Sequence, residues 1–275
     1  MRRLRHRLRS AAFGVVFASH LAVAQLAMAQ YPPMGQLTIP AAASAHGFGG
    51  ILWRTDLWIT SLSDKRLVLH VYFDCRSGCA DDRFFTHQVV LAPHESRLIE
   101  DVLGTAFQLP GTSGVLRIAE SCWHCPPPEP FFATSRTYTA GDGGHGTYGT
   151  AVPAFSAAQY TARATFPGVA SSGGDKSSGF RTNAGFAPAY IGAYAATFTL
   201  KDVTGRVLGT PLTLQGGGRM QPMQIDDVFA AMGAGDVVTR DATLEVTSTM
   251  VGIPYVFVID NVSGDSVFQQ GVFVP

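Results

Sequence analysis

The chain is short of charge. Only 15% of its 275 residues are Asp, Glu, Lys or Arg, and the two signs balance at 20 each. Outside the first ten positions there is no basic cluster, which argues against nucleic acid or anionic lipid as a partner. Catalytic signatures are missing too. There is no HExxH, no GxSxG, no Walker loop and no GxGxxG joining a strand to a helix. The sequence therefore supplies no catalytic residue and no cofactor site, and the expectation is a protein that is not an enzyme. Beyond the N-terminal segment no apolar stretch approaches the 20 or so residues of a membrane span.

The N-terminal segment reads as an address. Arg2, Arg3, Arg5, Arg7 and Arg9 form a basic region, an apolar run covers positions 11–29, and Ala27-Met28-Ala29 gives the small-x-small pattern of a signal-peptidase site. Cleavage after Ala29 predicts export to the periplasm, the cell surface or the medium. Removing those five arginines leaves 15 Lys and Arg against 20 acids, a mildly acidic balance of −5.

What the chain does have is repetition. "WRTDL" at 53–57 and "FRTNA" at 180–184 open two series of short segments in the same order. The first series occupies 53–61, 66–74, 84–92, 96–104, 114–121 and 131–139. The second occupies 180–187, 194–202, 207–215, 223–231, 242–249 and 255–262. "TIPAAAS" and "TFPGVAS" precede the two openings, and "TYGTAVPAF" and "VFQQGVFVP" follow the two series. The segments are rich in Val, Leu, Phe, Tyr and Thr and often alternate. Leu67, Leu69, Val71 and Phe73 fall on one face and Val68, His70, Tyr72 and Asp74 on the other, the period of a half-buried strand. Turn residues separate them, as in the Gly216-Gly217-Gly218 run. The pattern predicts an all-β chain of two tandem antiparallel β-sandwich, immunoglobulin-like modules, at 30–155 and 156–275, arising from a duplication of about 120 residues. Each module should carry one short helical turn, where Glu100-Asp101 and Asp226-Asp227 place acids before an apolar turn and one Asp caps it.

The candidate sites follow from this frame. Cys75, Cys79, Cys122 and Cys125 lie in the first series alone, and in an exported chain they are disulfide candidates, paired either locally or across loops. A zinc site of four thiolates, with His124, is the metal-binding alternative, but the two pairs stand far apart for a zinc ribbon. "CWHC" as a redox motif is opposed by Pro126-Pro127-Pro128, which follow directly. His87, His94, His124 and His145 sit on separate segments and read as surface residues, and "GDGGHG" at 141–146 reads as a hairpin tip. Trp58, on the strand face opposite Trp53, and Trp123 are candidate binding aromatics. Arg54 and Arg181 share a face with Asp56 and Asn183, and each is expected to reach its acidic turn, pairing near Asp101 and Asp227.

Taken together, "IPAAAS", "WRTDLWI", "LAPHESRLIEDVLG", "GVLRI" and "SRTYT" resemble a repeat of uncharacterised exported bacterial proteins, over nearly all of the exported chain. The second series departs from it at Asn183 and at "VFVIDNV". The resemblance implies β-sandwich modules and carries no catalytic residues. The expected function is a non-enzymatic structural or adhesive envelope protein. The alternative is a carbohydrate- or protein-binding module using exposed aromatics, with a cell-surface protein or glycan as partner.

Overall fold

Strand formation follows the alternation. In the computed structural model, which describes residues 35–79, 85–120, 128–141, 146–218 and 220–273, Leu67, Leu69, Val71 and Phe73 are buried while Val68, His70 and Tyr72 are half-exposed. Residues 1–34, which include the segment expected to be a leader, lie outside the described residues, as do Cys122, Trp123, His124, Cys125 and His145.

Nine described strands form the first half: β1 (Gln36–His46), β2 (Leu52–Ser61), β3 (Leu67–Ser77), β4 (Phe85–Leu91), β5 (Ser96–Ile99), β6 (Thr112–Glu120), β7 (Phe131–Ala140), β8 (Thr147–Pro153) and β9 (Phe155–Ser156). Eight form the second: β10 (Thr161–Ser172), β11 (Phe180–Pro188), β12 (Tyr194–Lys201), β13 (Val207–Gly216), β14 (Met223–Asp226), β15 (Val238–Asp260), β16 (Ser266–Gln270) and β17 (Val272–Phe273). One-turn helices, Val102–Thr105 and Val228–Ala231, follow β5 and β14.

All pairings are antiparallel. In the first half β4-β3-β6-β1 carries β9 on β1, and β1 turns the corner through Ala45–Trp53 and His46–Leu52 into β2, which pairs β5 and β7, with β8 on β7. In the second half β13-β12-β15-β10-β17 is joined to β14-β11-β15-β16 because β15 runs through both. These are the two antiparallel β-sandwich modules that the alternation predicts, each with its helical turn. The second has a continuous core of Phe166, Phe186, Phe198, Phe229, Leu244 and Val256, among others.

The structure adds to the sequence reading in one place and departs from it in another. "TIPAAAS" and "TFPGVAS" lie in β1 and β10, central strands of their sheets, although their alanines and prolines have little strand propensity. Pro40 and Pro167 fall at register shifts in these strands, where a missing N–H is tolerated. The segments 242–249 and 255–262 are not separate strands but parts of the 23-residue β15. At Gly252 this strand leaves one layer for the other. A Cβ there would stand 2.3 Å from the Ala187 carbonyl oxygen and 2.7 Å from the Phe186 ring, so only glycine permits the crossing.

Candidate binding cleft between the halves

The two Arg-Thr-Asp/Asn segments prove to be structural joints, and the threonine is their centre. Thr55 and Thr182 are fully buried. Thr55 Oγ1 accepts from the Ala43 N–H at 2.8 Å. Thr182 Oγ1 accepts from the Ala170 N–H at 3.0 Å and donates to the Ala170 carbonyl at 2.7 Å. Ala170 is the residue at which β10 slips register against β15, so the hydroxyl supplies what the ladder withholds.

The third residue of each segment holds the acidic turn. Asp56 Oδ1 accepts from the Asp101 N–H at 2.9 Å, and Asn183 Oδ1 from the Asp227 N–H at 3.1 Å. Asp101 and Asp227 in turn cap the one-turn helices, accepting from the N–H groups of Gly104 and Ala230. Both adopt left-handed backbone, with φ of 41° and 87°, a conformation that Asp tolerates better than most residues.

The arginines are less alike than the sequence suggests. Arg54 is half-exposed, with Nε 3.8 Å from Asp101 Oδ2, a surface pair of small energetic weight. Arg181 is buried, and its Nη1 donates to Asn261 Oδ1 at 2.6 Å. Burial pushes its pKa down, against the opposing pull of Asp226 and Asp227. Asp227 is also bonded by Lys176 Nζ.

Beyond these joints the outer faces of β2 and β11 diverge. Trp58 is half-buried on the outer face of β2, in register with Leu98 and Thr134, and Leu98 and Phe132 are exposed nearby. Two residues along from the Asn183–Asp226 pair, the outer face of β11 carries Gly185, opposite Gln224 and Tyr255. A Cβ on Gly185 would lie 2.2 Å from the Tyr255 ring, so the glycine lets Tyr255 fold down over the strand. Tyr255 OH donates to Gln224 Oε1 at 3.2 Å.

This second face is roofed by the first half. The buried Arg117 of β6 pairs with Asp74 and donates from Nη2 to the Pro188 carbonyl at 2.6 Å, and Thr38 Oγ1 meets Tyr160 OH at 2.7 Å. Val115 and Phe155 pack with Ala187 and Ile253 beside this network. Where the halves diverge they leave a cleft of about 930 Å³. Its second-half wall presents Lys176, Arg181, Asn183, Gln224, Asp226 and Tyr255; the first-half wall presents Trp53, Arg76, Ser77 and Ser113 over a floor that includes Ala41 and Ala43. Arg76 Nη2 donates to Ser113 Oγ at 2.8 Å, and its charge is felt by the Tyr255 hydroxyl on the opposite wall.

Burial of Tyr255 outweighs that charge and pushes its pKa up to about 12. Its phenol should therefore lose its proton near pH 12 in an absorbance titration, later than a free tyrosine near 10. Between the unfolded value near 10 and the folded value of about 12 the native state holds the extra proton, so stability falls as pH rises through that window. In a Tyr255→Phe variant that late absorbance step should be missing.

Several expected sites lie elsewhere. Cys75 and Cys79 form a local disulfide, so neither offers a thiolate to zinc and the cross-loop pairing does not occur there. Cys122 and Cys125 lie outside the described residues, as does Trp123. Among the described residues no three His, Cys, Asp or Glu side chains converge to hold a metal ion, and no helix is long and apolar enough to cross a membrane. His94 meets Asp64 at 2.9 Å on the surface, and His87 packs near Phe107. β7 and β8 pair antiparallel, and the Gly141 N–H donates to the Gly146 carbonyl at 3.0 Å, while residues 142–145 of the expected hairpin tip lie outside the described residues.

No family model matches the chain, and no curated protein matches it. Among solved structures, Thermotoga maritima 1070 is 12% identical with a TM-score of 0.35, over 46% of this chain and 97% of that one. The C-terminal domain of the Streptococcus pyogenes antigen I/II-family protein AspA is 10% identical with a TM-score of 0.15, over 87% and 100% of the two chains. A Pleurotus ostreatus lectin in complex with GalNAc is 9% identical with a TM-score of 0.13, over 88% and 85%. None of these scores indicates a shared fold.

Of the cleft residues, Trp53, Arg181, Asn183, Asp226 and Asp227 stand out in the sequence, and there as parts of the recurrent segments. Arg76, Lys176, Gln224 and Tyr255 are singled out by no motif. The one clue is the exchange of Trp58 for Gly185 at matching positions of the two segments.

Proposed function

We propose that the protein is an exported, non-enzymatic binding protein of the cell envelope, built from two copies of one β-sandwich module. Matching strand pairings, the paired threonine joints and the two left-handed Asp caps support the duplication. The observation that carries the binding role is the cleft between the halves, concave, large and lined by polar groups from both sides. Its charges also have structural employment: Asp227 caps a helix and holds Lys176, and Arg181 holds Asn261. Groups so committed position a ligand more readily than they transfer its protons.

The test is a thermal-shift screen of the full chain against glycans and peptides, repeated with Ala41→Trp, which places an indole in the cleft. A ligand of the wild type should give no shift with Ala41→Trp and an undiminished shift with Trp58→Ala. A second reading, adhesion through the open face of β2, is favoured by the exposure of Leu98 and Phe132 beside Trp58. The opposite outcome, binding lost with Trp58→Ala and kept with Ala41→Trp, would move the function to that face.

A further inference from the structure

We infer that the cleft takes a neutral oligosaccharide, an assignment that rests on the binding reading above and names its ligand. The first ground is the balance of charge. Arg76 on one wall shares the space with Lys176, Arg181, Asp226 and Asp227 on the other, so the lining offers no strong field of either sign to a polyanion or a polycation.

The second ground is the pairing of donors with acceptors. Asn183 Nδ2 donates to Asp226 Oδ1 at 3.4 Å, and Gln224 Nε2 to the same oxygen at 2.5 Å. Arg76 bonds the Ser113 hydroxyl, which in turn meets Ser77 at 2.7 Å. The wall is therefore a mosaic of planar amide, carboxylate and guanidinium groups interleaved with hydroxyls. A sugar hydroxyl donates once and accepts up to twice, so a single ligand group can bridge a carboxylate and a guanidinium. A phosphate or carboxylate ligand accepts only and would confront Asp226 with a second anion.

The third ground is apolar. Trp53 is half-buried on the first-half wall, where an indole can meet the C–H face of a sugar ring. Volume sets the scale: about 930 Å³ is near the upper end of ordinary small-molecule pockets, which argues for a short oligomer over a single ring.

The experiment is calorimetry of the full chain with three probe sets: neutral di- to tetrasaccharides, uronic-acid oligosaccharides, and short peptides. A neutral sugar should bind, and Asp226→Ala and Trp53→Ala should each weaken it roughly tenfold or more, while Trp58→Ala leaves it unchanged. Asp226 is exposed, so Asp226→Ala tests the site even if Trp53→Ala disturbs the fold. If no neutral sugar binds while a uronic-acid oligosaccharide or peptide does, sensitive to both substitutions, the ligand class is overturned and the binding reading stands. If no probe binds, or binding ignores both substitutions, the two fall together.

Discussion

Replacing Arg117 with Ala should lower the stability of the chain by about 3–5 kcal/mol, the usual cost of stranding one partner of a buried ion pair. Arg117 and Asp74 are almost fully buried, and the guanidinium also holds the Pro188 carbonyl of the other half. The variant thus strands a carboxylate and opens the joint between halves. A double variant, Asp74→Leu with Arg117→Met, should recover at least half of the loss, because apolar replacement removes the desolvation cost together with the attraction. The second half provides an internal control. Thr38, Arg117 and Tyr72 align across β1, β6 and β3, as Thr165, Glu245 and Thr199 align across β10, β15 and β12. There Glu245 pairs with Lys201 at 2.6 Å with both side chains about a third exposed, and Glu245→Ala should cost no more than ~1 kcal/mol.

The same pair gives a pH signature. Burial pushes the Asp74 pKa up, against the pull of Arg117. With its folded value above the unfolded one, the native state binds the extra proton. The contribution of this carboxyl is then greatest below the unfolded value and declines as pH rises through the raised folded value. The wild type should therefore gain on the double variant as pH falls from neutral toward 4 in paired urea titrations. A loss below ~1 kcal/mol for Arg117→Ala would show that water already reaches the pair and that the joint is held by packing alone.

Local features were the legible ones. Strand faces could be read from alternation because each side chain's environment is fixed by its nearest layer, as at Leu67, Leu69 and Val71. The capping acids could be read because a helix start is settled within a few residues. The long-range features could not. Arg117 occupies an outward position of β6, where a charge on a one-sided sheet would meet solvent; it is buried only because residues some seventy positions later cover it. The cleft has the same origin, since its walls draw on Trp53 and Arg76 from one half and Lys176, Gln224 and Tyr255 from the other. β1 and β10 were obscured for a different reason. Alanine-rich central strands owe their place to the partners on either side, and intrinsic propensity does not report partners. Recurrence marks the motif, but its most conspicuous member is arginine, through its charge. The tighter bonds belong to the smaller residues beside it.

Thr182→Val should expose that difference, with a loss of roughly 2–4 kcal/mol from a change of nearly constant volume. The hydroxyl serves both backbone groups of Ala170, accepting at 3.0 Å and donating at 2.7 Å, in a place closed to water. Valine would fill the same space and leave an N–H and a carbonyl without these bonds, each costing about 1–3 kcal/mol. Thr55→Val should cost less, because Thr55 holds one backbone group, the Ala43 N–H, and Thr137 Oγ1 stands within 2.9 Å of it. Arg54→Lys should cost least of the three, at most ~1 kcal/mol for a half-exposed pair. Urea unfolding of the three variants would rank them, with Thr182→Val first. Equal losses for Thr182→Val and Arg54→Lys would return the fastening role to the arginine. The expected order assigns it to the hydroxyl that bridges the slipped residue of β10, and makes the central threonine the structural reason the two segments read alike.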